Sequence, residues 1–360
     1  MRPYYLCNDT LHVSFNSVNE SWKLLLCPKN YKKTTMKIGV WKPKHTATSV
    51  QIYTDNVVKN LTEFGNEITF FGKEDALPEV DIIWDPTCTG AQYPNRKILH
   101  TDIPWIVTVH GASNLSMPLE YNFTTFSDKV QGLYINLKRR IMWSWYKYKV
   151  AHIITVSKYA KEELVNELNF AQGLISVIYH GYDDNIFYRQ SGTKPYLLHV
   201  SAYQPKKNVD RIMEAYQAIK EENKLPLIVV CPNYLNEIND PKINLITTHV
   251  ERKQIAKYMK EAYAFIFPSI HESFGMPLVE AMACGVPVIT SNTTACPEIA
   301  ATAGVLVNPL SVEEIKNAIE KLLQNKNLHN ELSKNALERV KDFSWEKTAR
   351  LHEELFKRFI

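Results

Sequence analysis

The chain of 360 residues carries 42 basic and 38 acidic side chains, a formal net charge of +4, and is 45% hydrophobic with 12 Gly and 18 Pro. That length suits two domains, each rich enough in apolar residues to bury its own core, which excludes disordered and collagen-like classes. The near balance of charge excludes a protein that coats nucleic acid by neutralising many phosphates, so any basic surface has to be local.

Residues 1–35 show neither a period of 2 nor one of 3.6 and read as an N-terminal extension of unclear role, or as sequence ahead of a true start at Met36. MRPYYLCNDTLHVSF lacks the charged start and long apolar stretch of a signal peptide, so a cytoplasmic chain is expected, with the sequon Asn60-Leu61-Thr62 unmodified. The cysteines Cys7, Cys27, Cys88, Cys231, Cys284 and Cys296 form no CxxC, which argues against a zinc site or disulfide scaffold. Order begins at MKIGVW. A helical pattern over 49–65 and the strand NEITFFG follow, then the apolar runs VDIIWD, PWIVTVHG and AHIITVS, each typical of a parallel strand covered on both faces. Ser157 is placed to cap a helix over 158–168, and ISVIYHG reads as the next strand, 175–181.

The polar stretch 182–195, with Gly192 and Pro195, reads as a linker. The alternation then restarts with YLLHVSA, a helix over 207–222, PLIVVC, NLITTHV, a helix over 252–262, AFIFPS, a helix over 276–284, VPVITS and AGVLVNP. No apolar run approaches the roughly 20 residues of a membrane span. The expected architecture is α/β, with two consecutive Rossmann-like halves, 36–189 and 190–342, each with its own parallel sheet, and a ligand cleft between the strand C-terminal edges. A last helix over 343–360 is expected to pack back toward the first half.

The segment FPSIHESFGMPLVEAMACGVPVITSNTTACPEIAATAGVLVNP concentrates the chemistry. Glu272 precedes Ser273-Phe274-Gly275 in a loop that enters a helix, and Glu280 lies in that helix, seven residues intervening. A helix N-terminus at Gly275 can present backbone N–H groups to an anion such as a diphosphate. Two nearby carboxylates can accept hydrogen bonds from sugar or ribose hydroxyls, and a nucleotide sugar offers both. Taken alone, the two glutamates also read as surface acids, Lys207 as a solvated residue before a helix, His110 as a satisfied core histidine and Phe274 as a packing residue.

HESFGMPLVEAMACGVPVITS, with its E-x7-E pattern and the following Pro297-Glu298, resembles the signature of the retaining glycosyltransferases of family 4, of GT-B fold. Weaker features extend the resemblance from Met36 onward: TVHG, IITVSKYAKEEL, VIYHGYDDNIF, VSAYQPKKNVDRIMEAY and the terminal FSWEK. The resemblance implies two Rossmann-like domains with parallel sheets facing each other across a cleft. It implies that Glu272 and the backbone of Phe274, Gly275 and Met276 hold the transferred sugar or the diphosphate, that Glu280 holds the ribose diol, and that Lys207 stabilises the departing nucleoside diphosphate. It places His110 beside the donor sugar in a positioning role. It further implies no metal and no cofactor, with a GDP- or UDP-linked sugar as substrate.

The family usually has an Arg five residues before the lysine. Ala202 stands there, leaving Lys206 to substitute without the bidentate fork. The loop KPKHTATSV lacks paired glycines, so Lys42, Lys44 and His45 are alternative phosphate contacts. Thr293-Thr294-Ala295-Cys296 resembles the branch containing many mannosyltransferases. The expected activity is transfer of a hexose, with a lean to mannose from GDP-mannose, to a glycan or lipid-linked glycan; a non-catalytic GT-B subunit is the alternative. Residues 137–149, LKRRIMWSWYKYK, mix cations with Trp143, Trp145, Tyr146 and Tyr148. They read either as a peripheral contact with the inner face of a membrane or as a helix packed on the sheet. No RNA-binding motif accompanies them, so no nucleic-acid partner is expected.

Overall fold

The computed structural model describes residues 35–360 apart from 119–120, 122–125, 191, 193–194 and 237; the extension 1–34, with Cys7 and Cys27, lies outside the described residues. The first half runs β1 (Lys37–Trp41), α1 (Thr48–Glu63), β2 (Glu67–Phe71), β3 (Ile82–Cys88), β4 (Trp105–Val109), α2 (Ser113–Ser116), α3 (Phe126–Tyr146), β5 (His152–Thr155), α4 (Lys158–Leu168) and β6 (Ile175–Val177). The second runs β7 (Leu197–Val200), α5 (Val209–Gln217), β8 (Leu227–Val230), β9 (Ile243–Ile246), α6 (Arg252–Glu261), β10 (Ala264–Phe267), α7 (Met276–Ala283), β11 (Val288–Ser291), α8 (Cys296–Ala300), β12 (Gly304–Val307), α9 (Val312–Gln324) and α10 (Lys326–Arg339). Helix α11 (Trp345–Phe356) ends the chain.

The strands form two six-stranded sheets, ordered β2-β1-β3-β4-β5-β6 and β12-β11-β10-β7-β8-β9. Every pairing is parallel. Burial agrees with this: β3, β4, β10 and β11 are buried along their whole length, as strands covered on both faces must be. These are the two parallel sheets that the resemblance implies.

Local signals work as physics dictates. Ser157 accepts a hydrogen bond from the Ala160 N–H and caps α4, and Ser344 caps α11 through the Lys347 N–H. Helix α11 returns to the first half, where Trp345, Ala349, Leu355 and Phe356 are buried in a cluster with Met36, Ile38, Tyr53 and Trp84. Burying a ring such as Phe356 stabilises this docking by about 1.5–3 kcal/mol.

Three readings need correction. The strand expected over 175–181 ends at Val177, because the chain must then pass tightly under α11: a Cβ at Gly181 would lie 2.2 Å from the Trp345 nitrogen. The helix expected from 207 begins at Val209, because Asn208 takes a left-handed conformation (φ 65°) and its amide donates to the Pro268 and Pro309 carbonyls at 2.9 and 2.6 Å. The aromatics of 137–149 divide: Trp143 and Tyr146 are buried on the sheet, while Trp145 and Tyr148 face outward. Among the described residues, no helix is long and apolar enough to cross a membrane.

Candidate functional site

In each sheet the strand order reverses once, between β1 and β3 and between β7 and β10. Loops leaving the carboxyl ends of such strands diverge and leave a crevice. Here both crevices open onto one cleft of ≈ 800 Å³. One wall is formed by Ala47, Thr48 and Ser49 entering α1, with His110 and Gly111 after β4. The other is formed by Ala202, Lys206, Lys207 and Arg252, with Glu272 through Pro277 and Glu280.

Lys207 Nζ and Glu272 Oε1 meet at 2.6 Å, and the ammonium also lies 5.2 Å above the Phe267 ring. The lysine ends a 3₁₀ turn opened by Pro205, and the Ile270 N–H donates to the Lys206 carbonyl at 2.7 Å, tying that turn to the loop bearing Glu272. The carboxylate is fixed from its own backbone: the Glu272 N–H donates to Thr294 Oγ1 at 3.2 Å, and its carbonyl accepts from the Ala295 N–H at 3.1 Å. Burial pushes the Glu272 pKa up, but the adjacent Lys207 and Lys206 outweigh it and hold the carboxyl below its ordinary value. Burial lowers the Lys206 pKa, with Glu272 opposing.

Glu280 is buried in α7, and its Oε1 accepts from Arg252 at 2.5 Å. The guanidinium stacks 4.9 Å from the Phe187 ring. Desolvation raises the Glu280 pKa, and Arg252 offsets only part of that. Helix α7 starts from Gly275, whose φ of +90° is a left-handed conformation that suits glycine, and Gly275, Met276 and Pro277 at its start line the cleft. Phe274, beside it, packs against the rings of His180 and Phe343 at 4.8 and 5.8 Å while also lining the cleft.

His110 is half-buried in the cleft wall, and desolvation lowers its pKa to about 4, with the Pro86 hydrogen bond opposing. Its Nε2 lies 2.7 Å from the Pro86 carbonyl, which can only accept, so Nε2 carries the proton and Nδ1 keeps its lone pair. The ring sits edge-on to Tyr53 at 5.0 Å and to His180 at 5.5 Å.

All eight candidate residues, Glu272, His110, Lys207, Lys206, Glu280, Phe274, Gly275 and Met276, therefore line one cleft. The suggested contacts from the β1 loop do not join them: Lys42 lies over the Phe70 ring at 5.3 Å, and neither Lys44 nor His45 is among the lining residues. Ala47, Thr48 and Ser49 take that place, because the residues that open α1 are the ones the turn points inward. Sequence reasoning missed Arg252, which no motif marks. It also missed the clasp that joins the two halves beside the cleft. Glu163 of α4 accepts from His271 Nε2 at 2.8 Å and from the Ala112 N–H at 3.0 Å, and Ser157 Oγ donates to the Ser273 carbonyl at 2.6 Å. Glu298, flagged only as part of the Pro-Glu pair, accepts from the Lys158 and Tyr159 N–H groups at 2.8 and 3.1 Å and from Tyr179 Oη at 2.7 Å. Among the described residues, no three His, Cys, Asp or Glu side chains gather as metal ligands would.

Residues 184–339 match the family model described as glycosyl transferases group 1, and residues 73–186 match that described as glycosyltransferase family 4. An uncharacterized glycosyltransferase of Methanocaldococcus jannaschii is 30% identical over 269 residues, 72% of this chain and 69% of that protein. The O-antigen chain mannosyltransferase B of Escherichia coli is 26% identical over 217 residues, 54% of this chain and 57% of that protein, so this chain matches little more than half of that relative's length. Among solved structures, Anabaena HepE in complex with UDP and glucose superposes with a TM-score of 0.69 at 15% identity, covering 90% of this chain and 100% of that one. At that identity the likeness speaks for the fold.

Proposed function

The chain belongs to glycosyltransferase family 4, and from that premise we propose that it moves a hexose from a nucleotide sugar to a glycan or lipid-linked glycan acceptor, in polysaccharide or glycoconjugate biosynthesis. The observation that carries the reading is the single cleft in which Lys207, Lys206 and the start of α7 lie beside Glu272, with Glu280 held by Arg252. In this reading the donor diphosphate sits against the two lysines and the N–H groups of Gly275 and Met276. Glu272, kept ionised by its neighbours, accepts hydroxyls of the transferred sugar, and Glu280 accepts the ribose diol. Cations pre-placed at a leaving diphosphate stabilise the charge that develops as the glycosidic bond breaks, without reorganisation at that moment. His110, neutral and with Nδ1 free to accept, orients a sugar hydroxyl. We propose retention of configuration, with the leaving phosphate taking the acceptor's proton, and no metal or cofactor.

Mannose is the preferred hexose and GDP the preferred nucleotide. Support comes from the Thr293–Cys296 sequence and from a relative named as a mannosyltransferase. A UDP-linked hexose is the close competitor, since Anabaena HepE was solved with UDP and glucose. A thermal-shift panel of GDP-, UDP-, ADP- and dTDP-sugars tests this, because a ligand that binds only the native state raises its melting temperature. A rise with one nucleotide class supports the reading and names the donor. No rise with any overturns it in favour of a non-catalytic subunit, the reading that Ala202 in the cleft wall favours.

A further inference from the structure

Helix α3 presents an apolar stripe outward. Val130, Leu133, Tyr134, Leu137, Ile141 and Trp145 recur at steps of three and four and so share one side of the helix. Leu133, Tyr134 and Trp145 are 61%, 69% and 65% exposed, whereas Trp143 and Tyr146, on the opposite side, are buried. The stripe is longer than the sequence stretch 137–149 suggested, and begins two turns earlier; from 130 to 145 it spans about 22 Å.

Cations border it. Lys138 and Lys149 are exposed, Lys129 and Lys147 are half-buried, and the helix carries one carboxylate, Asp128, in its first turn. An isolated apolar stripe has no preferred partner, but one flanked by lysines and containing Trp and Tyr has the chemistry of the boundary between acyl chains and anionic headgroups. The inner side of the same helix braces the cleft: Asn136 Nδ2 donates at 2.8 Å to the carbonyl of Asn114, a lining residue.

We propose that this face of α3 docks in the plane of an anionic lipid bilayer, and that the docked helix brings the cleft to a lipid-borne acceptor; the second part rests on the glycosyl-transfer reading, and the docking itself does not. The lysines supply electrostatic attraction to phosphate headgroups, and the stripe supplies burial below them. A helix lying in the interface needs no span of apolar residues, in keeping with its modest overall hydropathy.

The test is co-sedimentation of the full chain with vesicles of phosphatidylcholine alone or mixed with phosphatidylglycerol. The expected result is binding at least about tenfold tighter to the anionic vesicles, weakening as salt is raised. The exposed pair Leu137→Glu/Trp145→Glu should abolish it, and Lys138→Gln should weaken it about fivefold, the loss of one headgroup-attracted cation. Both variants should keep the wild-type melting temperature and the wild-type response to nucleotide sugars, so loss of docking and loss of donor binding are read separately. Equal binding to both vesicle types, or full binding by the double variant, overturns the proposal. So does absence of vesicle binding together with a change in molecular mass on Leu137→Glu, which would show the stripe to be covered by a second copy of the chain. Absence of vesicle binding with unchanged mass also overturns it, with residues 1–34 then the occupant to examine.

Discussion

Lys207 and Glu272, 65 positions apart, close a 2.6 Å ion pair across the C-terminal ends of β7 and β10, so a single contact joins the turn after one strand to the loop after its neighbour. Each group is largely shielded by the cleft wall, and Lys207, with Lys206, holds the Glu272 carboxyl below its ordinary pKa. Lys207→Ala or Glu272→Ala removes a charged hydrogen bond worth about 1.5–3 kcal/mol. Transfer, measured as kcat/KM with the nucleotide sugar that shifts melting, should fall at least about tenfold in each, with the fold intact by circular dichroism. Unchanged turnover in both would remove these residues from the site.

Arg252 should matter as much as the motif residues do. Without it Glu280 is a buried carboxyl with no cation beside it and a pKa already above its ordinary value. Arg252→Ala should therefore weaken nucleoside diphosphate binding by about tenfold or more in calorimetric titration, and Arg252→Lys should restore part of it, since lysine keeps the charge but not the planar fork. Wild-type affinity in Arg252→Ala would mean that Glu280 acts without its partner.

Stability should fall in mild acid. Desolvation holds the half-buried His110 and His152 and the buried His199 and His352 at pKa values of about 4, with Arg358 and Lys161 adding to it at His152, and holds His180 well below its ordinary value. An unfolded imidazole titrates near ~6.5. The unfolded chain thus binds protons that the native chain refuses as pH drops through ~6.5, so the native advantage is full above that point and is lost progressively down to about 4. Asp85, raised to about 6 by burial, and Glu280 act in the opposite sense, because their native carboxyls bind a proton first. Five histidines outweigh two carboxyls, so the melting temperature should drop between pH 7 and 5; a flat profile over that window would contradict the desolvated neutral rings.

The sheets were the most legible feature of the sequence, because a strand covered on both faces has to be largely apolar: AFIF is wholly so, WIVTV is broken only by Thr108, and VITS turns polar only at its Thr290-Ser291 end. The helices of the last quarter were harder. Ile315, Ala318, Ile319 and Leu322 of α9 do recur at helical spacing and are buried, yet no motif draws attention to them. In the cleft, Glu272, Glu280 and Lys207 stood out because they belong to long recognisable segments. Arg252 and Glu163 did not, since their positions are set by which helix ends face each other across the gap, a long-range outcome that local pattern does not contain. The outward stripe of α3 lay in between: its cations and aromatics were visible, but which aromatics face water depends on how the helix rolls on its sheet.

Gly111 should tolerate no side chain. Its φ is +121°, and a Cβ there would lie 2.0 Å from Ser273 Oγ, across the junction of the two halves. Gly111→Ala should lower the melting temperature, with about 1–3 kcal/mol of backbone strain added to the clash, and should reduce transfer by holding the halves apart. Ser273→Gly in the same chain should recover the steric part and leave the strain. No recovery would place the whole effect in the backbone of Gly111.

The polypeptide passes between the halves twice, once after β6 and once before α11, and the two passes lie against each other: Gly181 abuts Trp345, and Thr348 Oγ1 donates to the Tyr179 carbonyl at 2.7 Å. Mechanically this is a door hung on two leaves of one short hinge. Sliding or twisting of one half over the other would shear adjacent backbones, and rotation about that line would have to part the Glu163–His271 and Ser157–Ser273 contacts that latch the cleft side. A swing of a few degrees there moves the far lip of the cleft most and the residues nearest the pivot, His180 and Phe274, least.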